Sequence, residues 1–187
     1  KLTQETRNIL GIEEDSKIDA ELLLSKIHTS DVDDVIKKFE EVVKGKVSEI
    51  EHRVVVDGKV KWIRQKSEPK LGPNNEAIAI VGFVQDISKR KRNELVQESM
   101  LRLIEFSGQA SIKDLLQKFL DEAEFLTDSK VGFFHFIEAD GKEVSLQAWS
   151  TNTVNSMCNI DEFGEHYPVD KAGVWVDCVK EGKPVIH

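Results

Sequence analysis

Two sets of residues in this chain could do chemistry. In the first, the apolar run from Val81 passes through Asp86-Ile87-Ser88 into the basic start of a helix, Lys89-Arg90-Lys91-Arg92. A carboxylate at that point can accept hydrogen bonds from the free amides of the helix and sits favourably in the helix dipole. Asp86 could therefore pass strain from a sheet to a helix, or serve as a simple cap. Upstream, Glu51-x-Arg53 places opposite charges two residues apart on one strand face, able to tie adjacent strands by charge-assisted bonds or to form a solvated face. Trp62 reads as a core residue.

The second set is Cys158, Cys178, His135, His166 and His187, which have the soft-donor chemistry of a metal site. None of them shows C-x-x-C or H-x-x-x-H spacing, so a zinc site is disfavoured. Cys178, near Val174, Trp175 and Val179 in an expected helix, reads as a small buried hydrophobe, whereas Cys158 in a polar loop is the better reactive thiol. Trp149, Tyr167 and Trp175 could wall a small-molecule pocket or pack a core.

Composition narrows the classes. The 187 residues are 40% hydrophobic and 32% charged, which describes a globular chain able to bury a core, and they suffice for two domains of roughly 100 residues. A formal charge of -8 opposes binding to a phosphate backbone, and the basic run is followed by Glu94 and Glu98, which makes it a mixed helix surface. No nucleic-acid partner is expected. Only Cys158 and Cys178 occur, which fits a reducing, cytoplasmic compartment. No run approaches the ~20 apolar residues of a membrane span, and KLTQETRN has no signal-peptide core, so no membrane contact is expected. Lys1 and the strand-like end at Lys183-Pro184-Val185-Ile186 read as the ends of a segment of a longer protein.

The elements that must position these residues follow from periodicity. Ile18, Leu22, Leu23 and Ile27 form one helical stripe and Val35, Ile36, Phe39, Val42 and Val43 a second, with Ser30 or Asp31 as the expected cap between them. Alternation from Val47 through Val56, the Asp57-Gly58 turn, a return strand from Val60 to Glu68 and a third strand from Ala77 to Ile87 predict an antiparallel meander. Lys89 to Phe106 has no Gly or Pro and reads as a helical linker, with a stripe too short to establish a coiled coil. A second block then opens with an amphipathic helix from Ile112 to Leu126. Strands at Val131–Ile137 and Val144–Ser150 flank a hairpin at Asp140-Gly141, a helix is expected at Ala172–Lys180, and a strand from Pro184. The class is α+β.

The first block resembles a PAS domain with its PAC motif. The resemblance rests on Ile9-Leu10-Gly11, Ile27-His28, Glu51-x-Arg53, Asp57-Gly58, Trp62-Ile63, Gly72, Gly82 and Asp86-Ile87-Ser88. Thr29 stands where that family often has Pro, and the family's first strand is expected to be missing. The second block resembles the N-terminal part of a GAF domain, through Gln147-Ala148-Trp149-Ser150-Thr151, His166-Tyr167-Pro168-Val169 and Ala172-Gly173-Val174-Trp175. These resemblances imply a PAS-like sensor block at 1–88, a helical linker at 89–107 and a partial GAF-like block at 108–187.

They further imply a sensory and relay segment of a cytoplasmic signalling protein, a two-component sensor histidine kinase, with no catalysis in this segment. Asp86, Trp62, Glu51 and Arg53 become candidates for signal relay. Cys158, His166, Trp149, Tyr167, Trp175 and Cys178 become candidates for an unidentified small ligand or cofactor. Some sensor kinases with a similar GAF module carry haem attached through a cysteine, which would be Cys158 or Cys178 here. A homodimer through the linker helix and a downstream effector domain are the implied partners. The competing reading is a thiol enzyme on a GAF scaffold, similar to the free methionine sulfoxide reductases, with Cys158 attacking as a thiolate.

Overall fold

Thr3 and Gly11 make a helix that hydrophobic periodicity does not announce. The Thr3 hydroxyl accepts from the Thr6 amide at 3.3 Å, and α1 (Gln4–Leu10) ends at Gly11 in the left-handed region with φ 60°. A Cβ at Gly11 would also collide with Cγ1 of Val56, a core residue. Gly11→Ala therefore combines backbone strain with a clash, and is expected to lower the melting temperature of the first block by several degrees, read by thermal denaturation. The computed structural model describes residues 2–74, 77–139, 143–156, 166–168 and 173–186, without the side chains of 166–168 and 175.

Asp19 caps α2 (Ala20–Ser25) by accepting from the Leu22 amide at 2.9 Å. A 3-10 turn at Thr29–Asp31 then leads into α3 (Val32–Val43). Asp31 occupies the N-cap position of α3, but its side chain makes no capping bond, contrary to the sequence expectation. Its carboxylate is engaged by a guanidinium instead, a stronger partner than a single amide.

Strands β1 (Ser48–Val56), β2 (Lys59–Leu71) and β3 (Ala77–Asp86) form the expected antiparallel meander in the order β1-β2-β3. Asp57 and Gly58 both take positive φ, 50° and 72°, as the tight hairpin requires. Strand alternation sends Val54, Val56 and Ile63 inward, where they cluster with Leu10 and Ile12 and are covered by Ile9, Ile18, Leu22 and Leu23. Trp62 belongs to the other face, opposite Arg53 in the register, and is only half-buried. The core residue of that pair is Ile63, 1% exposed, because one step along a strand reverses the face.

α4 (Ser88–Ser107) is one continuous helix, and the chain divides within it into two compact units, Lys1–Glu94 and Leu95–His187. In the second unit, Ser111 caps α5 (Ile112–Thr127) through the Asp114 amide at 3.2 Å. Strands β4 (Phe133–Ile137), β5 (Glu143–Trp149) and β6 (His166–Pro168) form a second antiparallel sheet in that order. α6 (Thr151–Ser156) follows β5, and a 3-10 turn at Val174–Val176 precedes α7 (Asp177–Glu181). Leu120, Val144, Leu146, Ala148 and Val176 are the buried apolar residues of this unit among those described. The Asp140-Gly141 turn lies outside the described residues, although the strands on either side pair as a hairpin would. Among the described residues the strand expected from Pro184 is not formed: residues 184–186 carry no strand pairing, and a Pro without a backbone donor starts that run. The α+β class is borne out.

Candidate functional site

The start of α4 is fastened to β2 at the backbone. The Ile87 amide donates to the Trp62 carbonyl at 2.9 Å, and the Ser88 hydroxyl accepts from the Trp62 amide at 3.0 Å. Strand pairing thus runs past its last pair, Ile63 with Asp86, into the first residue of the helix. The Asp86 carboxylate accepts from the Ser88 amide at 2.9 Å, so it holds the turn whose hydroxyl holds Trp62. Its capping geometry and its position as a link are therefore one arrangement. Ile87 between them is buried, which pins the junction from the apolar side.

Charge closes the same corner. Glu51 on β1 receives the Arg90 guanidinium at 2.5 Å and the Lys91 ammonium at 2.9 Å, and Glu94 takes both cations again from one turn further along α4. Lys91 lies 5.1 Å from the centre of the Trp62 ring and the Arg53 guanidinium carbon 5.6 Å from it, both within cation–π range. Arg53 is in turn gripped by Asp31: its Nη2 donates to Oδ1 at 2.5 Å, its Nε to Oδ2 at 3.0 Å, and its own backbone amide to Oδ2 at 2.8 Å. Hydrogen bonds from Arg53 hold the Asp31 carboxyl at about 2, below its ordinary 3.8. Those from Lys91, then Arg90, lower Glu51, while Glu51 raises Lys91.

All four relay candidates therefore meet at one corner, through different bonds from those the sequence suggested. Glu51 and Arg53 do not tie adjacent strands to each other. Each reaches away from β1, Glu51 to the start of α4 and Arg53 to the start of α3. Asp31 and Ser88 complete the set, and Arg90 and Lys91, read from sequence as plain helix-surface charge, belong to it. The two sides of a mixed charge pattern are visible in sequence; which distant carboxylate a basic helix start will meet is not. Chemically the arrangement offers hydrogen bonds and ion pairs between sheet and helix. It is a latch, with hydrogen bonds at its centre and ion pairs around it.

The candidates in the second unit are less assembled. The half-buried Trp149 ring meets Phe133 edge-on at 5.8 Å, and Phe133 meets His135 at 5.3 Å. Burial lowers the basicity of His135. The Trp149 Nε1–H is buried and has no hydrogen-bond partner among the described residues. Tyr167 and His166 pair through their backbones with Val144 and Ser145 on β5, and their side chains lie outside the described residues, as does that of Trp175. Cys158 also lies outside them. Cys178 is exposed on α7, not the buried hydrophobe expected, because Val176 takes the buried position of that short segment. Among the described residues no three His, Cys, Asp or Glu side chains are grouped to hold a metal.

Polar residues that sequence reading passed over build the inside of this unit. Buried Glu124 accepts from Ser150 at 2.5 Å, Ser150 and Thr153 hydroxyls are 2.7 Å apart, and the Gly132 amide donates to Thr153 at 3.0 Å. Asp121 accepts from the Thr151 amide at 2.7 Å, capping α6 from α5. The Ser150-Thr151 pair is thus structural. On the same helix, Glu122 binds Arg102 of α4 in a two-toothed bond at 3.0 and 2.6 Å, with Lys118 at 3.2 Å.

Residues 109–187 match the GAF domain family, which bears out the resemblance of the second block. The methyl sulfide methyltransferase-associated sensor of Methanosarcina acetivorans is 31% identical over 114 residues, covering 57% of this chain; the chain spans 11% of that protein's length. Among solved structures, a sensory box histidine kinase/response regulator from Burkholderia thailandensis is similar with TM-score 0.43 and 24% identity, over 54% of this chain and 79% of that one. The N-terminal domain of a diguanylate cyclase with PAS/PAC sensor from Marinobacter aquaeolei has TM-score 0.44 and 25% identity, over 46% and 82%. Among the described residues no helix is long and apolar enough to cross a membrane.

Proposed function

We propose that this chain is a sensory and relay segment of a cytoplasmic signalling protein, a two-component sensor histidine kinase, in which a PAS-type block passes the state of a bound small ligand through α4 into the GAF-type block. The observation that carries this reading is the latch: Trp62, Asp86 and Ser88 join the sheet to the first turn of α4, and Glu51 holds Arg90 and Lys91. A sheet that shifts by even a fraction of an ångström must strain or release these bonds, so two sheet states would favour two states of the helix start. The ligand then acts by differential affinity for those states. The GAF match and the sensor relative support the signalling role. Met100, Leu101 and Ile104 are exposed on α4, which supports pairing of two copies along it.

The relay is tested at Glu51. Glu51→Gln removes the charge that holds both cations but leaves the strand in place. Amide hydrogen exchange over residues 88–94 is expected to quicken, while that of β1 and β2 stays as it was. Unchanged exchange at the helix start would remove Glu51 from the relay. The surface setting of these ion pairs means global stability should hardly move.

A further inference from the structure

The first turn of α4 is electrostatically unsuited to stand alone. It carries Lys89, Arg90 and Lys91, followed by Arg92, and no acidic residue, at the end of a helix where the backbone dipole favours anions. The acid that the turn lacks comes from elsewhere in the chain: Glu51 on β1, 39 residues before Arg90. A second acid, Glu94, sits one turn further along the helix itself.

The four side chains close a ring. Arg90 Nη2 donates to Glu51 Oε1 and its Nη1 to Glu94 Oε1, both at 2.5 Å, while Lys91 Nζ lies 2.9 Å from Glu51 Oε2 and 3.4 Å from Glu94 Oε2. Each cation thus has two carboxylates, one that ties it to the sheet and one that travels with the helix. When the helix start leaves β1, the pairings to Glu51 break and those to Glu94 remain. Glu94 follows its cations by four and three residues, the weaker order for such pairs on a helix, so it holds them less firmly than an acid placed before them would. While the ring is closed, the two carboxylates also repel each other across the cations they share. All four side chains are between 27% and 46% exposed, which keeps each of these contributions small and the balance among them close.

We propose that Glu94 is a release residue: it competes with Glu51 for Arg90 and Lys91, receives both cations when the latch opens, and so sets how readily α4 parts from the sheet. In an ion-pair network that served stability alone, removing any member would loosen the whole. Here one acid holds the latch closed and the other stabilises its open form, so their removal has opposite consequences. This rests on the reading of the latch as a relay and names the residue that balances its two states.

The test is amide hydrogen exchange on the full chain, read at Ile87, whose amide donates to the Trp62 carbonyl and so reports opening of the junction. Glu51→Gln is expected to quicken exchange there. Glu94→Gln is expected to slow it by about two- to fivefold, the scale of an exposed ion pair. In the Glu51→Gln background the competition is gone, and adding Glu94→Gln should leave the Ile87 amide unchanged. A residue that only propped the helix would instead quicken exchange in both backgrounds. Quickened or unchanged exchange at Ile87 in the Glu94→Gln protein, or equal slowing with and without Glu51, would overturn the release role. If Glu51→Gln itself leaves this amide unchanged, the latch reading falls and the release role with it; if it quickens the amide while Glu94→Gln does not slow it, the latch stands without a release residue.

Discussion

Glu122→Gln is expected to lower the stability of the second block by about 3 kcal/mol at neutral pH. The Glu122 side chain is 8% exposed and is held by Arg102 and Lys118. Hydrogen bonds from Arg102, opposed in part by desolvation, bring its carboxyl from 4.5 to about 2. Each unit of that shift corresponds to about 1.4 kcal/mol of preference for the ionised form in the folded state. Because the folded pKa is the lower one, the unfolded chain takes up the proton first as pH falls. The contribution is whole above about 4.5 and is lost as pH descends through about 2. Urea unfolding followed by tryptophan emission in a Trp62→Phe background isolates the second block, where Trp149 and Trp175 lie. The stability gap between the parent and the Glu122→Gln protein should be widest near neutrality and close near pH 2. A gap independent of pH would mean that shape and not charge is what Glu122 supplies.

The second large effect belongs to Asp31. Asp31→Asn is expected to cost the first block about 2 kcal/mol, from a carboxyl held at about 2 instead of 3.8 and only 16% exposed. The sign is the same: stability from Asp31 is present above about 3.8 and disappears as pH falls through about 2. There is also a local signature. Arg53 stands over Trp62 while two hydrogen bonds tie its guanidinium to Asp31, so Asp31→Asn is expected to let the guanidinium move off the ring. With Trp149 and Trp175 replaced by Phe, the Trp62 emission should change before unfolding begins. An unaltered Trp62 signal with an unaltered midpoint would show that Asp31 and Arg53 contribute no more than exposed partners do.

The sequence made the architecture legible where side-chain period decides it. Val54, Val56 and Ile63 alternate as a half-buried sheet must, Asp57-Gly58 takes the positive φ pair its composition favours, and Ile112 to Thr127 forms the helix that its stripe predicts. α1 was invisible to periodicity because seven residues give barely two turns, yet Thr3 and Gly11 were its cap signals. Trp62 shows the limit of reading by residue type: a large aromatic suggests core, but its register places it opposite Arg53, where the ring covers charges. The latch was half legible. Its residues could be named, but its bonds join Asp31 to Arg53 across 22 positions and Glu51 to Arg90 across 39, and no local pattern selects among the many carboxylates available. Of the ligand candidates in the second block, Trp149 is seen against Phe133 and Cys178 is exposed on α7.

The division of the chain inside α4 has a consequence for how such proteins can be reassembled. Arg102 and Ser99, which dress the buried Glu122, sit on the same helix whose first turns belong to the other unit. A gene fusion that joined foreign sequence upstream of Leu95 would carry the whole set with the second block. One that broke between Ser99 and Arg102, or anywhere before Ile112 on the far side of them, would hand the recipient a buried carboxylate with Lys118 as its remaining cation. Crossovers that yield a stable chimera should therefore cluster in the first two turns of α4, short of the point where a change of neighbour would strand Glu122.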